Sequence, residues 1–227
     1  KMDYEEALER DKEALEWVAK HNGQFGHFIG GRFTKPKNLF KTTNPFNKKE
    51  IAKVSQGTIA DIKNSVRVAR SGFEKWQSLS SFQRSKYLYA IARYIQKESR
   101  TISVLESLEN GKSIRESRDI DIPLAARHFY YHAGWAQLLD EEFENYSPVG
   151  ICGQIIPWNF PLLMLAWKVA PAIAAGNSVI LKPAEQTSLT ALYFAEICKR
   201  IKLPEGVVNV VTGDGITGSH LVTQKDI

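Results

Sequence analysis

Cysteine is nearly absent from this chain. Cys152 and Cys198 are the only two among 227 residues. Two thiols cannot build the disulfide framework of a small secreted domain, and their separation fits no zinc spacing. A reducing, cytoplasmic setting is the simplest expectation. Long apolar runs are also missing. The longest, Pro161 to Ala175, is interrupted by Lys168 and is too short to span a bilayer, so no membrane partner is expected. No run of Lys or Arg is long enough to track a phosphate backbone. The net charge of +5 therefore reads as solvated surface, and no nucleic acid is expected as a partner. No secretory or transit segment shows, although the chain opens on Lys1-Met2, which leaves room for a longer parent. The remaining composition, 43% hydrophobic and 24% charged, is that of a globular protein with one large domain or two small ones.

What is present falls into two blocks. In the first, Asp3 to Lys20 reads as a helix with Tyr4, Ala7, Leu8, Leu15, Val18 and Ala19 on one face, stopped by His21-Asn22-Gly23. A β-rich stretch follows. Gly30-Gly31 is hairpin chemistry between Phe28-Ile29 and Arg32-Phe33, and Asn44-Pro45-Phe46-Asn47 is a turn between Phe40–Thr43 and Glu50–Val54. The expectation is a small antiparallel meander. Thr58 and Asp61 have capping-box spacing at the start of a helix with Ile59, Ile62, Val66, Ala69 and Phe73 inward. Ser80-Ser81 caps a second helix with Leu88, Ile91, Ala92 and Ile95 inward. A third holds Ile102, Leu105 and Leu108 and stops at Asn110-Gly111. Ile122-Pro123 opens a fourth, to about Leu139. These helices are ordinary amphipathic packing, and nothing in them demands catalysis.

From Ser147 the pattern changes. Val149–Ile156, Ser178–Leu181 and Val207–Val211 read as buried strands, separated by helices ending at Gly176 and at about Lys202. Strands alternating with helices imply an α/β fold with a parallel sheet and right-handed crossovers. Ligands bind such sheets at the carboxyl ends of the strands. There the chain places Pro157-Trp158-Asn159-Phe160-Pro161 after the first strand and Lys182-Pro183-Ala184-Glu185 after the second. An amide stiffened by flanking prolines can donate to developing negative charge, a role worth about 3 kcal/mol when well aimed. It can also cap the following helix, which on spacing alone is the commoner use. Lys182 and Glu185 offer donors and acceptors suited to ribose hydroxyls, or form a surface ion pair. Pro183 turns both toward the crevice, which favours the first reading. Gly213-x-Gly215-x-x-Gly218 follows the third strand, as a phosphate loop or as a turn that needs positive φ. Cys152 and Cys198 sit on a strand and on an apolar helix face, positions for core residues rather than nucleophiles. His128 and His132 have i, i+4 spacing but no suitably placed carboxylate, so no metal is expected.

Ile156-Pro157-Trp158-Asn159-Phe160-Pro161 followed by Leu181-Lys182-Pro183-Ala184-Glu185 resembles the aldehyde dehydrogenase superfamily. Phe28-Ile29-Gly30-Gly31, Asn44-Pro45, Leu105–Lys112, Pro148-Val149-Gly150 and Leu203–Val211 fit it in the same order, so the resemblance covers nearly the whole chain. The run Tyr131–Ala136, taken through 211–215, resembles the family-16 type most closely. The resemblance implies a Rossmann-like parallel sheet, with 1–146 as the helical layer and meander of the cofactor domain and 147–227 as a partial NAD-binding βαβαβ unit. It implies NAD(P)-dependent oxidation of an aldehyde through a thioester on cysteine. Asn159 matches the oxyanion amide. Ile156, Pro157 and Trp158 match the segment lining the cofactor cleft, Lys182 and Glu185 the adenosine-ribose groups, and Gly215 and Gly218 the loop near adenine and pyrophosphate. An acid at Glu185 repels a 2′-phosphate, which favours NAD over NADP. The nucleophilic cysteine and general-base glutamate are expected beyond Ile227, so this chain alone is expected to be inactive. The connection from Leu139 to Ser147 is short where many relatives carry an oligomerisation hairpin, and a dimer is expected of the full-length protein. The rival expectation is a non-catalytic relative kept for binding partners.

Overall fold

A computed structural model describes residues 12–227. In chain order the elements are α1 (Lys12–Lys20), β1 (Gln24–Phe25), β2 (Phe28–Ile29), β3 (Arg32–Phe33), β4 (Leu39–Thr43), β5 (Glu50–Ser55), α2 (Ile59–Gln77), α3 (Ser81–Lys97), α4 (Ser99–Asn110), α5 (Ile114–Glu116), a π-helical stretch (Ser117–Asp121), α6 (Ile122–Glu142), β6 (Ile151–Ile155), α7 (Pro161–Ala174), β7 (Ser178–Lys182), α8 (Leu189–Arg200), β8 (Val208–Val210) and α9 (Gly215–Val222).

The main sheet has the order β3-β2-β8-β7-β6. β6, β7 and β8 run parallel, as their spacing by helices requires. β7 is buried along its length because it is covered on both faces, with Val179, Ile180 and Leu181 at its centre. Val179 and Leu181 point into the larger core, with α7, α8 and much of the helical block. Ile180 points into a smaller one with Ile62, Val66 and Leu221. The larger core runs from Ala14 to Val210, so the N-terminal helices and the sheet share it.

The expected meander is not a single sheet. The β2–β3 hairpin, turned at Gly30 (φ 63°) and Gly31 (φ 77°), leaves it and pairs antiparallel with β8. The Asn209 side chain accepts the Gly30 N–H at 3.0 Å and fixes that join. The remainder is a second sheet, β1-β5-β4, in which β1 runs parallel to β5. Local turn chemistry predicted the hairpin, but the choice of sheet rested on a partner 179 residues away in sequence.

Other expectations shift at their edges. In α1, Ala14, Trp17 and Val18 are buried while Leu15 and Ala19 are exposed; Tyr4, Ala7 and Leu8 lie outside the described residues. Ile59 on α2 is exposed, and Trp76 is buried with its indole N–H donating to the Ile173 carbonyl at 2.8 Å. Both capping boxes form, Thr58 with Asp61 and Ser80 with Gln83. The helix expected from Ile122 begins earlier. It is continuous through the π-helical stretch with α5, which Ser113 caps. The first strand starts at Ile151 rather than Val149, because Gly150 breaks the extended chain at φ 118° and leaves Val149 exposed. No helix among the described residues is long and apolar enough to cross a membrane.

Candidate active site

The carboxyl ends of β6 and β7 lie side by side. The Ile156 N–H donates to the Lys182 carbonyl at 3.2 Å, which joins the two loops that sequence singled out. Ile156 itself is buried in the larger core, so it supports this end of the sheet from beneath. Pro157, Trp158 and Asn159 are exposed beyond it. Asn159 does not cap α7. The residue at the cap is Phe160, with no side-chain cap bond, and the Asn159 amide has no partner among the described residues. The turn is held by other groups. Asn110 donates its side-chain N–H to the Trp158 carbonyl at 2.6 Å, and the Lys112 ammonium lies 4.2 Å from the centre of the Phe160 ring.

Lys182 is buried although charged. Its stem packs beside Gly218, where an added Cβ would meet Lys182 Cδ at 3.5 Å and Ile155 Cδ1 at 3.4 Å. Its ammonium donates to the carbonyls of Pro183 at 2.8 Å and Gly213 at 2.6 Å, and lies 3.7 Å from the Glu185 carboxylate. Burial lowers the Lys182 pKa, and Glu185 and Asp214 oppose that shift. Glu185 is half-exposed and keeps acceptor capacity toward the crevice.

The glycine loop is used differently at each position. Gly213 takes φ 151° and presents its carbonyl to Lys182. Gly215 is the exposed first residue of α9, and Gly218 is the close-contact position beside Lys182. Asp214 caps α9, accepting from Ile216 N at 2.9 Å and Thr217 N at 3.4 Å, and the Gln56 amide donates to it at 2.8 Å. These bonds, the Gln56 one first, hold the Asp214 carboxyl below its ordinary pKa. The first-turn amides of α9 thus face a protein carboxylate. Gly215 is exposed with open space around it, while Gly218 is buried against the Lys182 stem.

Neither cysteine is poised as a nucleophile. Cys198 is buried, Cys152 is half-buried, and burial pushes both thiols up. His128 accepts the Trp167 indole N–H, and His132 bonds the His128 carbonyl at 2.8 Å. No group of three or more His, Cys, Asp or Glu that could hold a metal occurs among the described residues.

Two functional candidates were missed by reading the chain in order. Glu106 and Glu109 on α4 are buried, and each receives backbone N–H groups from the helix that follows one of the two loops. Their signal was the placement of two carboxylates among Ile102, Val104 and Leu105 on a helix otherwise turned inward.

The aldehyde dehydrogenase family model matches residues 33–227. The chain belongs to the aldehyde dehydrogenase family. An Arabidopsis thaliana relative, aldehyde dehydrogenase family 2 member B4, mitochondrial, is 40% identical over 232 residues, covering 94% of this chain and 43% of the relative. An acetaldehyde dehydrogenase of Pseudomonas aeruginosa is 42% identical over 223 residues, covering 92% and 44%. Among solved structures, the NAD+ complex of an aldehyde dehydrogenase from Bacillus cereus superposes with a TM-score of 0.88 at 36% identity, over 93% of this chain and 46% of that one. The chain therefore spans less than half the length of the curated relatives it matches. Membership agrees with the α/β architecture and the parallel strands β6, β7 and β8 of this aldehyde dehydrogenase chain.

Proposed function

We propose that this chain forms the nucleotide-facing wall of an NAD-dependent aldehyde dehydrogenase that oxidises an aldehyde to a carboxylic acid. The observation that carries the reading is the pairing of two strand ends: an exposed Asn159 amide beyond β6, unpartnered among the described residues, beside the Lys182–Glu185 pair at the end of β7. The donor set fits a dinucleotide. A half-exposed carboxylate beside an ammonium can engage the two hydroxyls of a ribose. Nicotinamide dinucleotide, when bound, supplies the hydride acceptor. Glu185 favours NAD over NADP, because its carboxylate repels a 2′-phosphate. Ile156 supports the floor, while Pro157 and Trp158 form the exposed rim above it. Gly215 borders the nucleotide on the α9 side.

Asn159 is free to donate to the oxygen of a reacting carbonyl, where an aimed amide is worth about 3 kcal/mol. The nucleophile is a cysteine outside these 227 residues, because Cys152 and Cys198 are unsuited by burial. The full protein is a cytoplasmic homo-oligomer, a dimer by the short connection between α6 and β6.

Isothermal titration of NAD into the 227-residue chain tests the reading. Binding is expected, and Lys182→Ala should weaken it at least tenfold; equal binding, or none in either protein, would sink the assignment. Aldehyde should elicit no NADH from this chain alone, and measurable production would overturn the placement of the nucleophile.

A further inference from the structure

The two crossover helices that follow the candidate loops do not cap themselves. α7 opens at Phe160 and α8 at Ser188, neither with a side-chain bond to its first amides. Both are capped from one place. Glu106 Oε2 accepts the Leu162 N–H at 3.1 Å, at the start of α7. Glu109 accepts Leu189 N at 2.7 Å and Thr190 N at 2.8 Å, and the Thr190 hydroxyl as well, at the start of α8. The two glutamates are three residues apart on α4, hence neighbours on one helix face.

A carboxylate at 0% or 1% exposure is costly unless strongly bonded, and helix N-termini are among the few partners that offset the cost. An internal cap would fix one helix start locally. A cap supplied by α4 also fixes its distance to the other start. The end of α4 and the residues just past it hold the first loop twice more, through Asn110 on the Trp158 carbonyl and Lys112 against the Phe160 ring.

We propose that Glu106 and Glu109 are positioning residues, which hold the turn carrying Asn159 and the loop carrying Glu185 in register across the crevice. This rests on the crevice being the site described under the proposed function. Glu106 faces Lys112 at 3.7 Å and shares its surroundings with Asp121, which Lys112 also pairs. Glu109 meets only the hydroxyl and amides of α8.

Amide hydrogen exchange on the 227-residue chain tests the role. Glu109→Asp withdraws the acceptor by one methylene and should speed exchange at Leu189 and Thr190 about tenfold, leaving Leu162 unchanged. Glu106→Asp should do the converse. Glu106→Gln keeps an oxygen on the Leu162 N–H and should exchange there near the wild-type rate, whereas both oxygens of Glu109 accept, so Glu109→Gln turns its NH2 onto one donor and should speed exchange at Leu189 or Thr190. Glu109→Asp should also weaken NAD severalfold, with Glu106→Gln within about twofold of wild type. Faster exchange spread evenly over the chain, no change at either helix start, or exchange at Leu162 as fast in Glu106→Gln as in Glu106→Asp would overturn the proposal. An expected exchange pattern in a chain that binds no NAD would instead sink the nucleotide assignment and leave the two caps standing.

Discussion

The ammonium of Lys182 and the amide of Asn159 stand at the ends of neighbouring strands, and their surroundings are opposite. Lys182 is buried, spends two donors on the carbonyls of Pro183 and Gly213, and is backed by Gly218. Asn159 is exposed and has no partner among the described residues; its position comes from its neighbours, through the Trp158 carbonyl, the Phe160 ring and the Leu162 amide. One side chain is part of the scaffold as well as the site. The other is held in place while its donors stay free. A group that must keep a fixed shape can be bonded within the protein, whereas one that must donate to a passing oxygen has to be positioned through its backbone.

The largest expected effect bears on the scaffold behind the Lys182 side. Burial raises the Glu109 carboxyl from 4.5 to about 7. Below pH 4.5 both folded and unfolded chains hold that proton. As pH rises toward 7 the unfolded chain releases it first, so the stabilisation is lost across that window and the loss stops beyond it. Relative to Glu109→Gln, the wild-type chain should lose on the order of 2–3 kcal/mol of unfolding free energy between pH 5 and 7, read by urea denaturation. Parallel pH profiles would remove Glu109 as a buried titrating support. Burial, with Asp121 beside it, shifts Glu106 in the same direction.

A smaller effect is expected inside the Lys182 side itself. In Gly213→Ala the new Cβ would fall 2.1 Å from Thr217 Oγ1, at a backbone φ of 151°. That hydroxyl is held by Gln56 and by the Gly57 carbonyl, so the backbone must move and take the Lys182 acceptor with it. A cost of roughly 2 kcal/mol should show as a lower urea midpoint. A change near zero would mean that this side is not rigid. The smallest effect should be that of Asn159→Ala, within about 0.5 kcal/mol of wild type in the same measurement. A larger loss would give the amide a structural duty and erase the contrast between the two sides.

Much of the frame was legible in the residues because its causes are local. The capping boxes at Thr58 and Ser80, the Gly30-Gly31 turn and the β-branched run Ser178–Lys182 each carry their signal within a few residues. The parallel alternation from β6 to β8 followed from the same periodicity. The errors fall where a distant partner decided. The β2–β3 hairpin joined β8 because Asn209 and Val210 met it, and Trp17 rather than Leu15 turned inward because Phe25 and Tyr193 lie there. Asn159 looked like a cap because spacing favours one, yet the cap of α7 came from α4.

The sequence alone determined the alternation of strands and helices, the family, and which polar side chains stand at the strand ends, since order along the chain and 2- or 3.6-residue periodicity suffice for these. Only the tertiary structure decided which of those side chains are free. Asn159 is left without a partner among the described residues and the Lys182 ammonium is engaged, because Glu106, Asn110 and Lys112 hold the neighbours of the first and the Gly213 carbonyl accepts from the second, and no local pattern encodes a hydrogen bond between residues that distant in the chain.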